Sequence, residues 1–345
     1  MIATPGTAAD TLGSWFLEMG WEVMDFQRRT WSAYLAGQSG LVHAPTGHGK
    51  TLAVWGGPLI EALADPAPPA GGLLALWVTP LRALASDTLR ALQQPLDALG
   101  IGWQSACRTG DTSAHARARM RKRFPQLLVI TPESLSLLLS HPDARERFSN
   151  LRVAVVDEWH ELIGSKRGTQ TELCLARLRR WRPQLRTWGL SATLGNSDQA
   201  MHTLLGGRPG RLIAASGGSE VAVECLLPNE IERFPWSGHL GLKMLGTVAA
   251  RISDARSTLV FTNTRSQCEI WFEELRRGGQ PWRDRIAIHH GSIDSAARNA
   301  AEAGLADGSL RCVVCTSSLD LGVDFSPVDQ VVQIGSPKGV ARLLQ

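Results

Sequence analysis

The sequence predicts an α/β chain of two lobes, each a parallel sheet with helices on both faces, the second lobe incomplete at its C-terminus. Three observations carry this. Short, continuously apolar runs recur, such as Leu73-Leu74-Ala75-Leu76-Trp77-Val78 and Leu127-Leu128-Val129-Ile130, as suits strands covered on both faces. Each run ends in a polar turn and is followed by a helical stretch, so strand and helix alternate. The alternation lapses between residues 206 and 239, where Gly, Pro and Ser accumulate, and then resumes. The expected lobes are therefore 1–215 and 241–345, with a linker at 216–240.

The totals set bounds. A chain of 345 residues holds two cores of ordinary size, and 43% hydrophobic with 20% charged residues marks it as globular. A net charge of +4 is compatible with a polyanionic partner but proves nothing alone. No apolar run approaches a membrane span, and the opening Met1-Ile2-Ala3-Thr4-Pro5-Gly6 lacks the order of a signal peptide. Cytoplasm is the expected location. The six cysteines are scattered except Cys312-Val313-Val314-Cys315. Residues three apart on a strand point to opposite faces, so this pair reads as buried structure rather than a disulfide or a metal site.

Taken in order, residues 14–31 read as two helices divided at Gly20-Trp21. The second holds Phe26-Gln27, upstream of the most informative stretch in the chain, Ala44-Pro45-Thr46-Gly47-His48-Gly49-Lys50-Thr51. A glutamine amide presents a donor beside an acceptor and can pair with adenine, although one glutamine on a helix is usually solvated. The stretch 44–51 joins an apolar run, Gly40-Leu41-Val42-His43, to a helical one, the context a phosphate-binding loop requires. Gly47 and Gly49 allow backbone with positive φ, which turns amide N–H groups toward one anion. The helix opening at Lys50 adds its positive dipole end. Lys50 can reach the β- and γ-phosphates while the Thr51 hydroxyl ligates Mg²⁺. Thr46 and His48 complete the loop.

Further strands end in Thr79-Pro80-Leu81-Arg82, in Thr131-Pro132-Glu133 and in Asp157-Glu158-Trp159-His160; between the first two lie Arg108-Thr109-Gly110-Asp111-Thr112 and a basic stretch from His115 to Arg123. Two carboxylates at a strand end form the second half of an ATPase site: Asp157 for the Mg²⁺ shell, Glu158 to orient or deprotonate water. Leu190-Ser191-Ala192-Thr193 repeats the pattern with two hydroxyls suited to a relay between nucleotide and polymer. Beyond the linker, strands lead into Thr262-Asn263-Thr264-Arg265, His289-His290-Gly291-Ser292 and Thr316-Ser317-Ser318, and a last strand is expected from Val331 to Gly335.

This ordered series resembles superfamily 2 DEXH-box helicases, over most of the chain. More narrowly, Ser165-Lys166-Arg167-Gly168, Pro235-Trp236-Ser237-Gly238-His239 and Thr316-Ser317-Ser318-Leu319-Asp320-Leu321-Gly322-Val323-Asp324 look like the large-helicase-related (Lhr-like) group, and within it the bacterial ligase-associated DNA-damage-response helicases. The resemblance implies two RecA-like lobes with ATP between them. Gln27 would read adenine, and residues 46–51 would hold phosphates and Mg²⁺. Lys50, Asp157, Glu158 and His160 would form the catalytic set, and Ser191 and Thr193 the coupling pair. Gly322 and Asp324 would approach the nucleotide from the second lobe. Thr79, Pro80, Arg82, Gly110, Thr131, Thr262, Arg265, Gly291 and Thr316 would hold the polymer's phosphates by amides and hydroxyls, without reading sequence. For any one such turn taken alone, helix capping is the competing explanation.

The resemblance also implies 3′-to-5′ movement on single-stranded DNA during repair, and an association with a DNA ligase and a nuclease. Two departures stand out. Trp159 occupies a place where the family usually has a smaller apolar residue, a packing variation. The family also continues past Arg342-Leu343-Leu344-Gln345 into arginines that reach the γ-phosphate, worth factors on the order of 10³ to 10⁵ in related enzymes. Poor turnover by this chain is the expectation. An RNA helicase of the same superfamily and a nucleotide-dependent binding module with little turnover remain competing readings.

Overall fold

The structure, a computed structural model, describes residues 5–45, 47–65, 72–80, 82–122, 124–192, 194–215, 222–227, 241–316, 319 and 328–336. The chain divides into two compact units, 1–219 and 220–344. In the first, helices α1 (Pro5–Glu18) and α2 (Asp25–Leu35) precede β1 (Gly40–His43) and α3 (Lys50–Ala64). Then come β2 (Ala75–Val78), α4 (Arg82–Ala98), β3 (Ser105–Arg108), α5 (Ala114–Lys122), β4 (Leu127–Ile130), α6 (Pro132–Leu139) and α7 (Ala144–Arg147). Strand β5 (Val153–Val156), α8 (Trp159–Leu162), α9 (Lys166–Trp181), β6 (Arg186–Ser191), α10 (Ser197–Leu205) and β7 (Arg211–Ala214) complete it.

The strands form one seven-stranded sheet in the order β3-β4-β2-β5-β6-β1-β7, and every pairing is parallel. Alternation along each strand feeds two cores. Val42, Trp77, Leu127, Val129, Val153 and Val155 face α1 to α4, while Leu41, Leu76, Val78, Leu128, Ala154 and Val156 face the helices of the other side. Both faces being covered is why these strands are apolar at every position. Because all strands run the same way, their carboxyl ends gather on one edge, where β1, β2, β5 and β6 present their following turns.

Two strands escaped the sequence. In β3, at the sheet's edge, every residue is only half-buried, and in β7, at the opposite edge, Ile213 alone is buried. An edge strand covered on one face needs no apolar run, so Ser105-Ala106-Cys107-Arg108 and Arg211-Leu212-Ile213-Ala214 carry no such signal.

The second unit has α11 (Leu245–Asp254), β8 (Thr258–Phe261), α12 (Arg265–Arg277), β9 (Ile286–His289), α13 (Ser295–Ala306), β10 (Cys312–Cys315) and β11 (Gln330–Gln333). Its four strands are parallel, in the order β11-β8-β10-β9. Cys312 is buried with Trp271 and Ile286 on one face, and Cys315 with Leu259 and Leu305 on the other. All six cysteines are free. Of the expected linker, residues 222–227 are described and have no regular structure. Glu224 there pairs with Arg251 of α11 at 2.6 Å. No helix among the described residues is long and apolar enough to cross a membrane.

Candidate active site

The site in the first unit starts where β1 hands over to α3. Gly47 (φ 79°) and Gly49 (φ 73°) both take the left-handed conformation that a side chain disfavours. At Gly49 there is also no room: a Cβ would lie 2.7 Å from Nε2 of Gln27. Gln27 is buried, its Nε2 donating to the Gly49 carbonyl (3.2 Å) and its Oε1 accepting from the Met24 amide (2.9 Å). Gln27 thus stands directly behind the loop, where the base-reading amide was expected. Both ends of the group are spent on backbone, one capping α2 and the other bracing the loop from behind. His48 and Thr51 are half-buried, and Thr46 lies outside the described residues.

Lys50, the first residue of α3, is 7% exposed, and its Nζ lies 3.6 Å from Oε1 of Glu158. Asp157 extends β5, its amide donating to the Val78 carbonyl at 2.8 Å. Its Oδ2 accepts from Trp77 Nε1 (3.1 Å) and its Oδ1 from the Glu158 amide (2.9 Å). Burial, then the neighbouring Glu158 charge, pushes the Asp157 carboxyl up to about 6, while the Trp77 bond and Lys50 pull the other way. Burial also raises Glu158, opposed by the Lys50 charge.

Glu158 is the one non-glycine residue with positive φ among those described (φ 43°, ψ 51°). Such backbone costs on the order of 1–3 kcal/mol and clusters at functional positions. Here it turns the carboxylate back toward Lys50, and it puts Trp159 into the core beneath. Trp159 is fully buried and donates to the Ala200 carbonyl at 2.9 Å, so the bulky residue fills and ties the gap to α10.

The next residue, His160, has its Nδ1 3.0 Å from Ser191 Oγ and 3.5 Å from Oε2 of Glu158. Ser191 pairs with His43 in the sheet register, which places the end of β6 beside the start of the phosphate loop. The structure thus brings Lys50, Glu158, His160 and Ser191 into one chain of polar contacts. Thr193, Gly322 and Asp324 lie outside the described residues.

Two buried atoms here make no hydrogen bond, Lys50 Nζ and Glu158 Oε2. A buried cation and a buried carboxylate oxygen that are in ion-pair range of their neighbours but make no hydrogen bond, beside a glycine loop, fit a bound phosphate and its metal. Among the described residues no cluster of three or more His, Cys, Asp or Glu could cage a metal. Mg²⁺ needs no such cage, since it takes one or two protein oxygens and completes its shell from phosphate and water. Thr51, in the first turn of α3, and Asp157, at the end of β5, carry oxygens of the kind such an ion takes.

The expected polymer contacts divide into two kinds. Thr79, Thr131 and Thr262 are buried, and with Thr316 their amides continue the sheet ladder, to Ile130, Arg108, Cys315 and His289. The Thr262 hydroxyl donates to the Cys315 carbonyl (3.1 Å), and the Thr131 hydroxyl bonds Ser134 (3.2 Å). A residue closing a parallel strand has its amide taken by the neighbouring strand, while the Thr79 hydroxyl is buried without a hydrogen-bond partner. Pro80 is buried and has no N–H to offer. Gly110 and Gly291 are exposed, as is Arg265, which donates to Ser292 Oγ at 2.6 Å. Arg82 opens α4.

Two residues at the site carried no sequence signal. Trp77 reads as one more apolar position in its strand, yet its indole N–H is a ligand of Asp157. His43, at the end of β1, has a buried Nδ1 without a hydrogen-bond partner, and burial, then the Lys50 charge, holds its pKa below the usual histidine range.

The sequence profile of the DEAD/DEAH box helicases matches residues 24–201, and that of the helicase conserved C-terminal domain matches residues 242–345. ATP-dependent helicase Lhr-Core of Methanothermobacter thermautotrophicus is 33% identical over 352 residues, spanning 97% of this chain and 41% of its own length. The chain therefore spans about two fifths of that relative. The structure of Mycobacterium smegmatis helicase Lhr bound to ssDNA and AMP-PNP superposes with a TM-score of 0.75 at 30% identity, over 96% of this chain and 44% of that one. DUF1998 helicase MrfA bound to DNA and AMPPNP gives 0.79 at 25% identity, over 99% and 47%. With a profile match that takes in more than half of its residues, and with the lysine, the paired acids and the parallel sheets already in place, this chain belongs to the DEAD/DEAH box helicase family, and it is similar to helicases of the Lhr type.

Proposed function

We propose that the chain is the motor part of an Lhr-type helicase, hydrolysing ATP to move along single-stranded DNA with 3′-to-5′ polarity in DNA repair. The observation that carries the hydrolytic part is the buried Lys50–Glu158 contact across the mouth of the phosphate loop, with Asp157 alongside. Glu158 is the base: its Oε2 makes no hydrogen bond within the protein, which leaves an acceptor for the attacking water. Lys50 neutralises charge on the terminal phosphate, and the amides turned inward by Gly47 and Gly49 cradle it. Thr51 and Asp157 would hold Mg²⁺, which when bound would polarise the phosphate oxygens. His160 bridges Glu158 to Ser191, so a change at the base is felt at the end of β6. DNA is favoured over RNA because the Lhr and MrfA structures it resembles hold DNA.

Phosphate release by the chain is measured with and without single-stranded DNA or RNA of matched sequence, alongside fluorescent-nucleotide binding. The expected result is nucleotide binding that Lys50→Ala weakens at least tenfold, and turnover raised more by DNA than by RNA. Unchanged nucleotide affinity in Lys50→Ala refutes the site, and stimulation by RNA alone refutes the DNA assignment.

A further inference from the structure

Between Glu172 and Glu220 the chain holds seven arginines and a single acidic residue, Asp198, an excess larger than the net charge of +4 carried by the whole sequence. These arginines gather where α9 ends, where β6 and β7 begin and where the loop from α10 to β7 crosses between them. That is the amino edge of the first unit's sheet, opposite the edge that bears the phosphate loop. The two edges are a strand apart, and the six residues of β6 span about 20 Å.

The cluster is held in place without being neutralised. Arg179 is buried and donates to the Leu204 carbonyl (2.9 Å), Arg208 donates to the Pro183 carbonyl (3.3 Å) and Arg182 to the Leu151 carbonyl (3.4 Å). A carbonyl fixes a guanidinium but leaves its charge. Three carboxylates at this edge are taken by other arginines, Glu61 by Arg186, Asp65 by Arg152 and Asp143 by Arg147, and among the described residues none pairs with Arg177, Arg180 or Arg208. All three of these are exposed, and the Arg177 guanidinium lies 5.1 Å from the ring centroid of the half-buried Trp181. Burial, then the Arg208 charge, holds Arg179 below the usual arginine range, with Glu172 opposing. The helix dipole favours cations in the last turn of α9, which accounts for Arg179 and Arg180. It does not account for Arg208, which arrives from another loop, or for the missing acids.

We propose that this edge is a second nucleic-acid site, separate from the motor's track, at which Arg177, Arg180 and Arg208 hold phosphates of the duplex that flanks the tracked strand. This rests on the nucleic-acid reading above. The guanidinium fork matches phosphate oxygens in pairs, and a duplex presents one negative charge for about every 1.7 Å of its axis. A duplex is favoured over an acidic protein because a motor gripping one strand keeps the rest of the same molecule within reach, at an effective concentration on the order of millimolar. Contacts of this kind add affinity without sequence preference.

The test compares two fluorescein-labelled probes, dT20 and a duplex that carries dT20 as a 3′ tail. Affinity of the chain for each is measured by anisotropy across a range of NaCl concentrations. Each duplex phosphate contacted adds about −0.9 to the slope of log K against log salt, so the unaltered chain is expected to show a steeper slope on the tailed duplex than on dT20. The variant Arg177→Gln/Arg180→Gln/Arg208→Gln is expected to flatten the tailed-duplex slope by about 2–3 and to leave dT20 binding unchanged. The charge-conserving Arg177→Lys/Arg180→Lys/Arg208→Lys is expected to keep the slope. An unchanged tailed-duplex slope in the glutamine variant overturns the proposal, as does an equally flattened slope in the lysine variant. An equal loss on dT20 also overturns it, since these arginines would then serve the track or the fold. If labelled oligoglutamate binds the unaltered chain but not the glutamine variant, while the tailed duplex is unaffected, the surface belongs to an acidic protein and the duplex assignment fails. Absence of any dT20 binding by the unaltered chain overturns the nucleic-acid reading itself and this inference with it, whereas dT20 binding with equal slopes on the two probes removes the second site alone.

Discussion

Replacing Asp157 by asparagine should stabilise the first unit at neutral and alkaline pH while abolishing hydrolysis. The ordinary value for an aspartate is 3.8, and burial with the Glu158 charge lifts Asp157 to about 6. The native state then binds the proton more tightly than the unfolded chain does, so stability falls as pH rises from about 3.8 to about 6 and stays low above that. The gap corresponds to roughly 3 kcal/mol of destabilisation at pH 8 that an uncharged side chain does not suffer. Asparagine loses something in return. The carboxylate accepts from both Trp77 Nε1 and the Glu158 amide. An amide has one acceptor oxygen for the two donors, and the bond it forfeits is worth about 1–1.5 kcal/mol. The net gain is on the order of 1–2 kcal/mol at pH 8, shrinking as the pH falls toward 5 and reversing at lower pH. Urea denaturation followed by tryptophan fluorescence at several pH values reads this directly. With a slope of about 2 kcal/mol per molar urea, the transition of the first unit should move up by somewhat less than 1 M at pH 8. If Asp157→Asn is less stable than the unaltered chain at pH 8, or if its advantage does not fade as the pH is lowered, the account of Asp157 as a destabilised buried carboxylate is wrong.

Two further outcomes follow from the same geometry. ATP hydrolysis needs Asp157 and Glu158 ionised, and both titrate above the ordinary carboxylate range, so turnover should fall as pH drops through about 6; in Trp77→Phe, where Asp157 loses a bond that favours its charged form, the acid limb should move to higher pH, and a limb that stays in place counts against the role given to Trp77. At Gly168, in the first turn of α9, a Cβ would lie 2.0 Å from the Leu162 carbonyl oxygen and 2.7 Å from its carbon, both backbone atoms that no rotamer change can clear. Gly168→Ala must therefore push α9 from α8 at a cost of about 1–3 kcal/mol, lowering the melting temperature by several degrees; an unchanged melting temperature would show that the two helices are not held at this distance.

What the sequence disclosed and what it hid follow from the same physics. The central strands were legible because a parallel strand covered on both faces has no choice but to be apolar throughout, as Val153-Ala154-Val155-Val156 shows. Their polar ends were legible because a loop that binds phosphate needs glycines and a lysine in fixed order. The edge strands β3 and β7 were not, since one covered face leaves the other free in composition. At the site the same division recurs at the scale of single atoms. Residue types marked Lys50, Asp157 and Glu158, but only coordinates show where each remaining polar atom is spent. Gln27 and Thr262 read as ligand-binding groups by type and place, and only the coordinates show that the amide of one also braces Gly49 and the hydroxyl of the other also bonds Cys315. Trp77 looks like core by type and yet holds a carboxylate. A polar side chain at the end of a buried strand meets two demands at once, the ladder's unpaired groups and the ligand's. The ladder is part of the folded sheet and always present, so it takes the strand-end amides, and the turn that follows is left for the ligand. Contacts to a polymer are therefore to be sought one step past the strand end, at exposed positions such as Gly110 and Gly291.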